Sequence, residues 1–222
     1  MKTIYVSIFC IFFLASCMQE KVNFSCDPVL NEYVSTHQEA LAQLSFHELV
    51  SSDLEFQQAV FRSYNPAKQR DLWLKKIQYL LDNEKYSADE YAHVKSLLDH
   101  LHENYFAKEN LKSEASNRSR FKTNWIDVAK NKFGWTNRYI SFVVYSLYTN
   151  QDQFELGVHA LSSGVSVNNT GVSVNKINPT AKICSCSTNS SFCDMACSPN
   201  GCQKSTGCGW FWSETCDGNC LW

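Results

Sequence analysis

The residues here with the most chemistry in them are the cysteines. Eleven occur in 222 residues, and eight crowd the C-terminal end: Cys184, Cys186, Cys193, Cys197, Cys202, Cys208, Cys216 and Cys220. Two chemistries use such a cluster. Structural zinc sites take thiolate pairs spaced C-x₂₋₄-C in reducing surroundings, and Cys193-x₃-Cys197 and Cys216-x₃-Cys220 have that spacing. Oxidising compartments instead pair clustered cysteines as disulfides. A segment of this size cannot bury enough apolar surface to hold itself together, so it needs covalent staples. Eight cysteines allow four bridges, and spacing alone does not choose the pairing. Cys26 is left over, free to pair between molecules or to stay a thiol.

The N-terminus decides between the two. Lys2 opens a short positive start, and Ile4 to Leu14 is an apolar run. That run is shorter than the roughly 20 residues a bilayer-spanning helix needs, and it fits the centre of an export signal. It ends in Leu14-Ala15-Ser16-Cys17, which resembles the lipobox of bacterial lipoproteins. The resemblance implies removal of residues 1–16, with Cys10 among them, acylation of Cys17, and a lipidated tether over residues 17–26. Two or more acyl chains hold a protein at a membrane, at about 0.8 kcal/mol per buried CH₂. An exported chain meets oxidants, so disulfides rather than zinc are expected, with no metal and no cofactor.

The elements that must position this cluster are helical. Residues 27–156 carry apolar positions at helical spacing. Asp27-Pro28 pairs an N-cap acceptor with proline in the first turn, ahead of Leu30, Val34, His37, Leu41 and Leu44. Ser52 with Glu55 and Ser87 with Glu90 read as capping boxes, and Asn65-Pro66 as another start. Trp73, Ile77, Leu80 and Leu81 share a face, and so do Tyr91, Val94, Leu98, Leu101 and Tyr105. The polar, basic stretch from Lys108 to Lys122 reads as a loop. Further helices are expected through Trp125, Val128 and Phe133, and through Ile140, Val143 and Leu147, with Gly134 ending one and Thr136 capping the next. The expected fold class is mainly α: a bundle of five or six helices, then a linker or small hairpin over 157–182, then a disulfide-rich module over 183–222. Within 157–182, Gly164-Val165-Ser166-Val167-Asn168 recurs as Gly171-Val172-Ser173-Val174-Asn175. It reads either as a duplicated polar linker or as a hairpin of alternating Val.

At the cysteines the sequence meets a known family. Cys184-Ser185-Cys186-Ser187-Thr188, the aromatic Phe192 before Cys193, Thr206-Gly207-Cys208-Gly209 followed by Trp210, and Gly218-Asn219 resemble fulvocin C, a small cysteine-rich bacteriocin. The resemblance covers residues 182–222 and not the helices. The whole arrangement is similar to lipoproteins grouped as bacteriocin fulvocin C-related. The separation of Cys216 from Cys220 departs from that pattern. The family implies an exported lipoprotein whose C-terminal peptide acts on competing bacteria.

Trp210, Phe211, Trp212 and Trp222 suit contact with a target or membrane interface, or cover for the knot itself. From Ile183 onward there is one lysine, Lys204, against Asp194, Glu214 and Asp217, so attraction to anionic lipid is weak. An envelope receptor on target bacteria fits better. Lys182 precedes the cysteine block, where a trypsin-like cut would free the module, because nicking concentrates in such segments. Glu90, His93 and His100 form one E-x-x-H with a neighbour. Di-iron bundles need two such motifs, so capping and exposed roles are expected. No nucleophile elbow, zincin motif, phosphate loop or dinucleotide fingerprint is present, and no catalytic residue is assigned. A net charge of −2 gives no reason to expect a nucleic-acid partner. The expected place is the bacterial envelope, anchored through lipid, with the module released outside. The competing reading is a surface binding or adhesion protein whose disulfide-rich tip stays attached.

Overall fold

A computed structural model describes residues 23–25, 27–163, 186–188, 196–199 and 204–221. Residues 1–16, expected to be an export signal, Cys17, Cys26, the repeat within 164–175, Lys182, Cys184, Cys193, Cys202 and Trp222 lie outside the described residues, as does the side chain of Cys220.

Helices dominate, as expected, but they are cut finer than a bundle of five or six. Ten helical segments occur among the described residues: α1 Pro28–Thr36, α2 Gln38–Leu41, α3 Phe46–Val50, α4 Leu54–Ser63, α5 Pro66–Asn83, α6 Ala88–His100, α7 Lys108–Ser113, α8 Ala115–Asn131, α9 Asn137–Val144 and α10 Gln151–Ser163. Local chemistry sets many of the boundaries. Asp27 accepts from the N–H groups of Val29 and Leu30, with Pro28 in the first turn. Asn65 accepts from Lys68 N–H and starts α5. Ser87 and Glu90 form the expected reciprocal capping box on α6. Gly134, at φ 69°, ends the run after α8 in a left-handed conformation that favours glycine. Thr136 then caps α9 through Tyr139 N–H.

Three expectations are corrected. The start near Ser52 belongs to Asp53, whose carboxylate accepts from Phe56 N–H, while the buried Ser52 hydroxyl donates to Glu48 C=O. A capping box does form one helix earlier, between Ser45 and Glu48. The stretch from Lys108 to Lys122 is not a loop but α7 and the first half of α8. Tertiary contacts supply what local pattern lacks: Arg118 is buried with its guanidinium 3.6 Å over the Tyr105 ring, and Phe121 stacks on His100 at 3.7 Å. Finally, α10 carries helix through Ser163, into the region expected to be linker.

The core runs continuously through the helical segments, with α5 against α6 and α1 against α4. Phe24 is buried in it and Phe24 N–H donates to Asn31 Oδ1 at 2.7 Å. Phe24, within the tether expected over 17–26, is therefore packed onto the fold.

The C-terminal segment contributes two small antiparallel ladders. β1 Ala196–Ser198 pairs with β4 Asn219–Leu221, with Cys197 opposite Cys220. β2 Ser205–Cys208 pairs with β3 Glu214–Cys216, with Thr206 opposite Thr215 and an irregularity at Gly207. Disulfides join Cys186 to Cys197 and Cys208 to Cys216. Both candidate zinc pairs are thereby broken, since Cys197 and Cys216 each bond to a different partner. Disulfides are the chemistry found at these four cysteines.

Candidate functional site

The expected module does not stand apart from the helices. The Cys208–Cys216 bridge closes a short loop, and at its tip Trp210–Trp212 make one 3₁₀ turn. Trp212 N–H donates to Gly209 C=O at 2.9 Å, and Ser213 N–H and Oγ both donate to Trp210 C=O. Phe211 and Trp212 have φ of 50° and 55°. Left-handed backbone is uncommon for bulky residues, costs of order 1–3 kcal/mol each, and persists only where the surroundings enforce it.

The surroundings are the helical core. Trp210, Phe211 and Trp212 are 1%, 0% and 3% exposed. Trp210 meets Trp125 of α8 edge to face at 5.5 Å, with Phe121 at 6.3 Å and Tyr145 at 6.4 Å. Phe211 lies 5.0 Å from Trp73 of α5 and 5.9 Å from Tyr105. Trp212 packs on Phe61 of α4 at 5.2 Å and on Trp73 at 5.5 Å. Tilted and edge-on pairs at these spacings add about 0.5–1.5 kcal/mol each beyond the area they bury.

Three polar contacts fix the loop's register. Trp212 Nε1 donates to the Tyr145 carbonyl at 2.8 Å. Lys122 of α8 pairs with Glu214 at 2.7 Å, with side chains 12% and 21% exposed. Arg62 of α4 reaches Phe24 C=O at 2.6 Å with one terminal nitrogen and Cys216 Sγ at 3.6 Å with the other. Arg62 passes directly over Gly207. A Cβ there would stand 2.5 Å from Arg62 Nε, and Gly207 itself has φ 92°. One arginine thus ties the N-terminal segment, α4 and the C-terminal hairpin together.

The expectation that Trp210, Phe211 and Trp212 offer a contact surface is corrected: they are inside. They pack there against the aromatic rings that α4, α5 and α8 present. The tail's polar edge is held separately. Cys186 N–H donates to Gly218 C=O. Thr188 donates to Asp217 through both N–H and Oγ1, at 2.7 and 2.9 Å. The Thr188 N–H holds the Asp217 carboxyl below its ordinary range.

Glu90 caps its helix as expected, but His93 and His100 are half-buried rather than exposed. Glu90 closes the capping box and accepts from Trp135 Nε1 at 3.0 Å, which, with the Ser87 bonds, lowers its carboxyl pKa. His93 stacks on Trp125 at 4.4 Å, and burial pulls its pKa from 6.5 to about 4. His100, stacked on Phe121, falls to about 4 for the same reason, with Arg118 adding to it. No group of three potential metal-binding side chains occurs among the described residues, and no described helix is long and apolar enough to cross a membrane.

Sequence reasoning missed Arg62, Lys122 and Tyr145. Nothing in their own neighbourhoods marks them, since each acts on a segment far along the chain. No family model, no curated protein and no solved structure matches the chain.

Proposed function

We propose that this chain is an exported, lipid-anchored envelope protein whose helical domain stores a disulfide-rich, bacteriocin-like C-terminal segment in a masked form. The observation that carries this is the burial of Trp210, Phe211 and Trp212 in the helical core. The sequence marks these residues as candidates to engage a target, and in the intact chain they are buried. Cys17 would hold the assembly at the membrane. Cleavage after Lys182 would remove the covalent link but not the packing, so release takes two steps: a cut, then undocking. The storage also protects the carrier, because a peptide that cannot present its aromatics cannot act on the cell that makes it.

The acidic balance of the tail, with Lys204 against Asp194, Glu214 and Asp217, favours an envelope receptor on the target over bulk anionic lipid. Strong leakage of protein-free anionic vesicles caused by the isolated tail would contradict that part.

The test is mass spectrometry of culture supernatant and cell envelope without reduction. The proposal expects a fragment beginning near Ile183, lighter than its reduced form by two hydrogens per bridge, and killing of related bacteria by that fragment. If only the full acylated chain appears under all growth conditions, storage for release is wrong.

A second reading has an observation of its own. The tail's Trp210, Phe211 and Trp212 lie in the same core as the aromatics of the helices, so the tail also serves as an integral part of one fold. On that footing the protein is a surface binding lipoprotein whose disulfide-rich tip stays attached. A specific surface partner for the intact chain would favour it.

A further inference from the structure

We propose, resting on the storage reading, that the recess in the helical domain is a receptor that works in trans: once its own tail has left, it binds the tail of another copy of this chain. The recess is specific in shape and in charge. Phe61, Trp73, Tyr105 and Trp125 form aromatic walls, each meeting at least one of the three tail rings within 6 Å. The Tyr145 carbonyl takes one indole N–H, and Lys122 takes one carboxylate. With Arg62 beside Cys216, the recess turns two cations toward a tail that carries more acids than bases.

The Cys208–Cys216 bridge closes the loop covalently, so a free tail loses less freedom on rebinding than an open chain would, while the left-handed backbone of Phe211 and Trp212 is imposed by the recess itself. While the link through residues 164–185 is intact, the cis tail occupies the recess at an effective concentration on the order of millimolar, and a free tail cannot compete. Cutting the link removes that advantage. A vacated recess exposes its aromatic walls and deprives Lys122 of Glu214, and the segment that restores both is another tail. Helical domains left anchored at the producing surface would then capture free tails before they reach a target, giving the producer a receptor of its own.

The test uses the full chain with residues 176–182 replaced by a site-specific protease sequence. After cutting, the complex is mixed with isotope-labelled tail prepared the same way, and native mass spectrometry follows exchange. The labelled tail is expected to replace the unlabelled one. Lys122→Glu should weaken tail binding roughly tenfold, and a tail carrying Glu214→Lys should recover it. Failure of the labelled tail to enter a helical domain that remains folded would overturn the proposal. So would collapse of the helical domain on loss of its tail, or an affinity indifferent to both charge changes. Exchange without any release in cells would refute storage for release and leave the receptor standing. Release without exchange would do the reverse.

Discussion

Trp73 on α5 and Phe211 in the C-terminal loop meet with ring centroids 5.0 Å apart, although the chain places one in the helical region and the other near its end. Both are fully buried. The loop closed by Cys208 and Cys216 is therefore not an appendage: Trp210, Phe211 and Trp212 belong to the same core as the helices.

This coupling makes the stability of the helices depend on the tail. Trp212→Ala removes a ring packed on Phe61 and Trp73 and leaves the Tyr145 carbonyl without its indole donor. A loss of about 3–5 kcal/mol is expected. Urea denaturation followed by far-ultraviolet circular dichroism should show it in the helical signal, in one transition. An unchanged helical midpoint would mean that the tail folds independently.

Acid should weaken the same region. Burial holds His93 and His100 at about 4 in the folded chain against an ordinary 6.5. Between these values the unfolded chain binds protons that the folded chain refuses. Their contribution to stability is thus complete above about pH 6.5 and is lost as the pH falls toward 4. Both rings stack on neighbours of Trp210, namely Trp125 and Phe121. The urea midpoint should fall between pH 7 and pH 4.5, and His93→Gln with His100→Gln should flatten that fall.

How much of this was legible in the sequence follows from the range of each interaction. Caps such as Asp27, Asn65, Ser87 and Thr136 act within three residues, so the pattern around them was sufficient. The helix over Lys108 to Lys122 is not legible in the local pattern, because Arg118 is held by Tyr105, Phe121 by His100 and Lys122 by Glu214. The tail's cysteines and aromatics were visible as residues. Where they go was not, because a buried indole and an exposed one have the same neighbours in sequence. The aromatic content of the helical region was the one available signal: Phe61, Trp73 and Trp125 sit on inward helix faces, and Tyr105 is buried in the turn after α6.

Lys76 offers a gain rather than a loss. It is fully buried on α5, its Nζ sits 3.8 Å over the Phe142 ring, and it makes no hydrogen bond among the described residues. Burial drives its pKa well below the ordinary lysine value. Lys76→Met keeps the length of the side chain and removes the buried amine, so stabilisation of about 1–3 kcal/mol is expected. A rise in thermal midpoint checks it; a fall would assign the amine a role that packing does not show.

The clasp at Gly207 should be equally sensitive. Gly207→Ala places a Cβ against Arg62 at a positive φ, which strains the hairpin and pushes the guanidinium off Cys216. The Cys208–Cys216 bridge, now buried, should become reducible by mild thiol well before the protein unfolds. Wild-type protein should resist the same treatment, as followed by alkylation and mass spectrometry.

The claim that the helical domain masks the tail's aromatics is tested most directly by hydroxyl-radical footprinting of the intact chain and of the separated tail. The account predicts that Trp210 and Trp212 resist oxidation in the intact chain and are oxidised readily once the tail is free. Oxidation of both at the free-tail rate in the intact, folded chain would contradict it.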